Sequence, residues 1–200
     1  MDRDAVRRAW DAVADDYARR RLAGGEDTRL LDDLRELLPD DARVLDVGCG
    51  DGMRTLANLP AGSVGLDLSG RQLELARGNL PDVPLVQGEM TTLPFTDASV
   101  DAVTAYHAVF HVPRADHLLA YREFARVLRP GGYLLTTVGA GRYQTTRRGW
   151  LGSDHSMFFS TPGRAVTRTQ LGNAGFDVVW ERFVDDPLGS QALFVLAQRS

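Results

Sequence analysis

Val44-Leu45-Asp46-Val47-Gly48-Cys49-Gly50-Asp51-Gly52 is the stretch on which the reading of this chain turns. Apolar residues of strand character run into a turn with glycine at every second position, 48, 50 and 52. A backbone so bare of side chains lets a large ligand lie against the main chain. A second apolar run, Ser63-Val64-Gly65-Leu66-Asp67, ends in an acid 21 residues after Asp46. An acid at that spacing is placed to accept hydrogen bonds from a ribose. Together the turn and Asp67 point to an adenosine-containing ligand, although Asp67 as a plain helix cap is the simpler alternative. By glycine spacing alone a dinucleotide fold stays open, but the third glycine comes one residue early for G-x-G-x-x-G.

Composition narrows the class. Two hundred residues suit one domain with a full core. With 44% apolar and 25% charged residues the chain reads as globular. No apolar run approaches the roughly 20 residues that span a bilayer, and the charged N-terminus has no signal-peptide core, so a cytoplasmic protein with no membrane partner is expected. A net charge of −4 gives no reason to expect a nucleic-acid partner. All 23 basic residues are arginine, which removes Schiff-base and P-loop lysine chemistry. Cys49 is the single cysteine, so no intrachain disulfide can form; between two glycines it reads as a small space-limited residue before a nucleophile. No metal site is expected.

Periodicity predicts the elements. Val6, Trp10, Val13 and Tyr17 form one helical stripe over Asp4–Arg21, and Thr28–Leu38 reads as a second helix. Strands are expected at Arg43–Val47, Ser63–Asp67, Leu85–Gln87, Ser99–Tyr106, Tyr133–Val138, Phe176–Phe183 and Gln191–Gln198, the last two as an antiparallel pair. Helices are expected at Met53–Leu59, Gly70–Asn79 behind a Ser69 cap, Arg114–Leu128, and Thr161–Asn173. Gly141–Ser160 reads as irregular. Strands alternating with helices predict an α/β, Rossmann-like doubly wound sheet of seven strands, mostly parallel with an antiparallel C-terminal strand, as a three-layer sandwich.

Five motifs, the opening turn among them, stand in a fixed order. They are the 44–52 turn, Gly65-Leu66-Asp67-Leu68-Ser69, Gln87-Gly88-Glu89-Met90-Thr91-Thr92-Leu93-Pro94-Phe95, Ser99-Val100-Asp101-Ala102-Val103, and Arg126-Val127-Leu128-Arg129-Pro130-Gly131-Gly132-Tyr133-Leu134. In this set the chain resembles the class I S-adenosylmethionine-dependent methyltransferases, closely over residues 40–138 and loosely to the C-terminus. The resemblance implies a single methyltransferase domain over 1–200, with 1–38 as an N-terminal helical lid and 139–160 as an acceptor-side insertion. It implies S-adenosylmethionine as cofactor and a small-molecule methyl acceptor as partner, the protein being a monomer or homodimer. Asp46, Gly48, Cys49, Gly50 and Gly52 would form the cofactor turn. Asp67 would take the ribose hydroxyls, and Leu68 would pack on the adenine. Glu89, one methylene longer than the family's usual aspartate, would take the adenine amino group, and Met90 would offer its backbone N–H. Tyr17 resembles the lid tyrosine, and Tyr106 would line the methionine end.

Chemistry is expected beyond the C-terminal ends of the strands. After the fourth strand the chain reads Tyr106-His107-Ala108-Val109-Phe110-His111. His111 is the first candidate for a base or acceptor-orienting group and His107 the second; a structural hydrogen-bonding role for His111 is an equal reading. In the 139–160 segment Trp150, His155, Met157 and Phe159 are candidates for the acceptor pocket, beside Phe158 and Ser160. Arg142, Arg147, Arg148, Arg164 and Arg168 cluster around it, either for an anionic acceptor or simply solvated. Pro-Pro-Tyr with a neighbouring Asp or Asn is absent after the fourth strand, which argues against amino-group methylation of bases or glutamine. Methylation of a phenol, hydroxyl or carboxylate oxygen is the leading reading, with carbon or nitrogen next. A protein that binds the cofactor without transferring a methyl group, and a nicotinamide oxidoreductase, are the alternatives.

Overall fold

The computed structural model describes residues 3–21, 24–186 and 190–200. Its helices are α1 (Arg3–Arg20), α2 (Arg29–Arg35), α3 (Gly70–Asn79), α4 (His117–Val127) and α5 (Arg164–Asn173). Its strands are β1 (Val44–Val47), β2 (Val64–Asp67), β3 (Leu85–Gln87), β4 (Val100–Ala105), β5 (Leu128–Val138), β6 (Arg142–Arg147), β7 (Met157–Pro162), β8 (Phe176–Asp186) and β9 (Ser190–Arg199). Residues 1, 2, 22 and 23 of the expected lid lie outside the described residues.

Seven strands form one sheet in the order β3-β2-β1-β4-β5-β9-β8. The first five are mutually parallel, and β9 runs antiparallel to both β5 and β8. The order reverses between β1 and β4, and the crevice beyond that switch point is where an open α/β sheet binds ligands. The sheet is covered on both faces, so its central strands read as continuous apolar runs. Leu45, Val47, Val103 and Ala105 pack with Tyr121, Phe124 and Leu171 on the α4 and α5 side. Val44, Ala102, Leu135 and Leu196 pack with Leu30, Leu31 and Leu34 of α2 on the other. Alternate residues of each strand thus supply two apolar layers.

Local chemistry fixes the elements around the switch point. Asp4 lies in the first turn of α1, and Arg19 and Arg20 in its last, each favourable to the helix dipole. Val6, Ala9, Val13 and Ala14 are its buried face. Ser69 caps α3, its Oγ accepting the Gln72 N–H at 3.1 Å.

Three expectations change. Met53–Leu59 holds only a 3-10 turn at Leu56–Asn58. Two side chains just before it are drawn inward: Arg54 pairs with buried Asp27, and the Thr55 hydroxyl donates to Asp46. Gly141–Ser160 is not irregular throughout: β6 and β7 pair antiparallel as a second, two-stranded sheet. Threonines and aromatics favour that pairing, but a long connection rather than a tight turn joins the two strands, so no hairpin signal stands in the sequence. Thr161-Pro162 ends β7 rather than opening a helix, and α5 starts only after Gly163 at φ 89°.

The glycine turn is rigidly specified. Gly48, Gly50 and Gly52 have φ of 75°, 57° and 81°, the left-handed region that side chains resist. The Gly48 and Cys49 N–H groups both donate to the Leu66 carbonyl of β2, at 2.7 and 3.1 Å. A Cβ on Gly48 would stand 2.6 Å from the Ala108 Cβ. Gly48→Ala should therefore lower stability by about 1–3 kcal/mol, from backbone strain plus overpacking. Urea unfolding measures this; an unchanged midpoint would show that the turn relaxes freely.

Candidate active site

The segments that leave the parallel strands converge on one apolar cavity. Gly48 and Gly50 follow β1, Asp67 and Leu68 end β2, Gly88, Glu89 and Met90 follow β3, and Tyr106, His107, Ala108, His111 and Val112 follow β4. From the opposite side α1 contributes Arg3, Val6, Trp10 and Tyr17, and α3 contributes Gln72.

Asp67 is the hub of the glycine side. Its Oδ2 accepts the Gly50 N–H at 2.9 Å and its Oδ1 the Ser69 N–H at 2.8 Å. Burial nevertheless pushes its pKa up to about 6, against the opposing effect of these bonds. Gln72 is buried against the turn, and its Oε1 has no hydrogen-bond donor within the fold. An orphaned amide at a cavity wall signals a ligand donor. Bare backbone at Gly48 and Gly50, the carboxylate of Asp67 and this amide fit an adenosine-bearing ligand with a polar tail.

Glu89 lines the cavity, but Arg3 of α1 forms an ion pair with it. Tyr17 also lines the cavity; its hydroxyl accepts from Arg21, and its ring meets Trp10 edge-on at 5.0 Å. Tyr106 presents its ring to the cavity, and its hydroxyl donates to the Asp27 carbonyl at 3.0 Å.

Asp46, Cys49 and Gly52 belong to the turn but do not line the cavity. The Asp46 carboxylate is occupied by the hydroxyls of Thr55 and Thr104, the latter at 2.7 Å, and burial raises its pKa to about 6. It braces the turn against β4 from beneath. Cys49 points into a cluster with Leu56 and Leu73, and burial holds its thiol well above the usual range, an inert packing position. A Cβ on Gly52 would meet Leu80 at 2.8 Å, so this glycine serves the packing of α3.

On the other side of the cavity, His107 takes φ 52°, a strained value for a non-glycine residue, and its N–H donates to Thr137 Oγ1 at 2.6 Å. His111 is enclosed by the rings of Trp10, Phe110 and Phe159 at 5.2, 4.8 and 5.0 Å. Its Nδ1 lies 2.9 Å from the Phe158 carbonyl oxygen. A carbonyl only accepts, so Nδ1 carries the proton and Nε2 keeps its lone pair. Burial lowers the pKa of this ring to about 4 and keeps it neutral.

The 139–160 residues stand behind this wall instead of in it. Met157, Phe158 and Phe159 are buried against Val6 and Ala9 of α1, with Trp150 packed alongside. Trp150, Met157 and Phe159 do not line the cavity; all six residues of β7 are buried, and these three pack in the cluster with Val6 and Ala9. His155 is exposed on the connection between the two strands. Ser160 is buried, its Oγ accepting the Arg114 N–H at 2.7 Å. Nor do the clustered arginines reach the cavity. Arg164 and Arg168 pair with Glu181, Arg147 stacks on Trp150 and Phe159, and Arg142 and Arg148 are exposed.

Sequence reasoning missed Arg3, Gln72 and Val112 and placed Val6 and Trp10 only in a helical stripe. Gln72 was signalled by its place one turn after the Ser69 cap; Arg3 had no signal, since nothing local ties it to Glu89. Among the described residues no group of three or more His, Cys, Asp or Glu could hold a metal ion, and no helix is long and apolar enough to cross a membrane.

Residues 45–136 match the family model described as methyltransferase domain. The chain is 45% identical over 103 residues to phthiotriol/phenolphthiotriol dimycocerosates methyltransferase 1 of Mycobacterium ulcerans, a match covering 48% of this chain and 36% of that protein. It is 42% identical over 109 residues to the fatty-acid O-methyltransferase of Mycolicibacterium smegmatis, covering 50% of this chain and 38% of that one. The chain thus spans well under half the length of these curated relatives. The solved structure of a SAM-bound amino pentose methyltransferase from Micromonospora echinaspora superposes with a TM-score of 0.66 at 25% identity, over 88% of this chain and 91% of that one. The glycine turn and Asp67 lie within the segment that matches the methyltransferase domain, and in this segment and its sheet order the chain is similar to class I S-adenosylmethionine-dependent methyltransferases.

Proposed function

We propose that the chain transfers a methyl group from S-adenosylmethionine to a hydroxyl oxygen of a small-molecule acceptor. The residues that would hold the cofactor are Gly48, Gly50, Asp67, Leu68, Gln72, Glu89 and Met90, with Tyr17 and Tyr106 at the methionine side. The cofactor supplies a methyl carbon made electrophilic by its sulfonium. The names of the two curated relatives support an organic acceptor outside nucleic acid, and one of them specifies oxygen, there on a fatty acid.

The observation that carries the choice of oxygen is His111. Its proton is fixed on Nδ1 by the Phe158 carbonyl, which leaves Nε2 as an acceptor beside the cavity. A hydroxyl brings one donor to match it. The hydroxyl proton becomes strongly acidic as its oxygen shares a lone pair with carbon, so even a weak base can take it late in the reaction. A free carboxylate fits less well. Among the described residues lining the cavity Arg3 is the only arginine, and it is paired with Glu89 and Asp116. A carboxylate there would lie desolvated without a partner cation. In this reading α1 is the lid that excludes water, and the 139–160 segment buttresses His111.

The direct test is label transfer from methyl-labelled S-adenosylmethionine to matched hydroxyl, carboxylate and amine acceptors, with label expected in the hydroxyl compounds. Tight binding of S-adenosylhomocysteine with no transfer to any acceptor would replace this reading with that of a cofactor-binding protein that does not methylate.

Two variants sharpen it. Asp67→Asn should weaken S-adenosylhomocysteine binding by about 10-fold or more, the scale of a lost charged hydrogen bond. Because the Asp67 pKa is raised to about 6, the wild-type affinity should rise with pH through that value, and the variant's should stay flat. Calorimetry across pH reads both. His111→Ala should lower kcat by about 10²–10⁴-fold with cofactor affinity intact; retained turnover would assign His111 to structure alone.

A further inference from the structure

We propose that Arg3 is a specificity-determining residue of the cofactor site: it fixes one oxygen of Glu89 so that the other is presented to an exocyclic amino group, selecting a 6-aminopurine. The proposal rests on the cofactor reading above. Arg3 Nη1 pairs with Glu89 Oε1 and also donates to Thr91 Oγ1. The Thr91 hydroxyl in turn donates to the same Oε1 at 2.5 Å. Arg3 Nη2 reaches Asp116 Oδ2 at 3.4 Å. Two donors therefore converge on Oε1, and Oε2 takes part in none of these bonds. The arrangement answers a problem posed by the sequence. A glutamate has one more rotatable bond than an aspartate and loses more freedom when it holds a ligand. Pinning Oε1 in advance removes that cost from binding.

The source of the pin matters as much. Arg3 opens α1, and Arg3, Arg7, Asp11 and Asp15 follow each other at four-residue spacing along one side of the helix. Farther along, Asp11 accepts from Ser69 Oγ at 2.6 Å, and Asp15 takes both Nε and Nη2 of Arg71 at 2.9 and 2.7 Å. The helix is thus latched at the adenine end by Arg3 and at the ribose end by Asp11 and Asp15. Seating of α1 and orientation of Glu89 are one event. A 6-amino group donates to the waiting oxygen, whereas a 6-oxo group would set its own lone pairs against a carboxylate held in place.

Calorimetry with S-adenosylhomocysteine and S-inosylhomocysteine on wild type, Arg3→Gln, Arg3→Lys, Glu89→Gln and the Arg3→Gln/Glu89→Gln double variant tests this. Wild type should prefer the adenine ligand. Arg3→Gln should lose about 10-fold in affinity for it and little for the inosine ligand, so that the preference collapses, and Arg3→Lys should restore part of it. In the Glu89→Gln background the Arg3 change should have no further effect. An equal loss for both ligands, or an unchanged ratio, would overturn the proposal and leave Arg3 as a helix anchor. Wild type binding neither ligand would instead defeat the cofactor reading itself.

Discussion

The Asp67 carboxylate holds the site together. One oxygen accepts from Gly50 in the turn after β1 and the other from Ser69 at the start of α3. A single side chain at the end of β2 therefore fixes the two backbone segments that flank the crevice. Through the Ser69 hydroxyl the same network reaches Asp11 and seats α1. Removing a carboxylate from water is costly, and two backbone N–H groups only partly offset it. The rise of the Asp67 pKa to about 6 is the mark of that residual cost. Further hydrogen-bond donors at this carboxylate would lower it.

Asp46 sits close by in the same network of turns and does different work. Its oxygens are saturated by two threonine hydroxyls, so it braces the turn and offers nothing to a ligand. Both acids bind protons more tightly folded than unfolded. The stability they contribute is full below their usual value of 3.8 and is lost as pH rises toward about 6. His111 has the opposite sign. Its pKa falls from 6.5 to about 4, so the folded state gains as pH rises across that interval. Between about pH 4 and 6 the histidine therefore offsets part of the opposite effect of the two acids.

The parallel half of the sheet was legible because glycine turns and apolar runs are local signals. Gly48, Gly50 and Gly52 announce left-handed backbone, and Ser69 announces a cap; neither needs a partner far along the chain. Long-range pairings carried the rest. Nothing in Arg142–Arg147 announces that it pairs with Met157–Pro162, nor that Met157 and Phe159 pack against Val6 and Ala9 of α1. Their aromatic character was a true sign of burial, but it could not say whether they face the cavity or the rear of its wall. Likewise Asp46 and Asp67 look equivalent as strand-end acids; the difference is Thr104, 58 residues on, which takes one of the Asp46 oxygens.

One helix performs two tasks because of its periodicity. On α1, residues 3, 7, 11 and 15 form a polar side, and Val6, Trp10 and Tyr17 form an adjoining apolar side over the cavity. The polar side meets Glu89, Ser69 and Arg71, while the apolar side carries Trp10 onto the ring of His111. Any displacement that frees Glu89 from Arg3 must also draw Trp10 from His111, since both are fixed to the same rigid rod less than two turns apart. On the proposed function, a weak, neutral acceptor such as the His111 ring directs a hydroxyl only where water does not compete for it. On that reading the polar contacts that seat α1 beside Glu89 also serve to exclude water from His111.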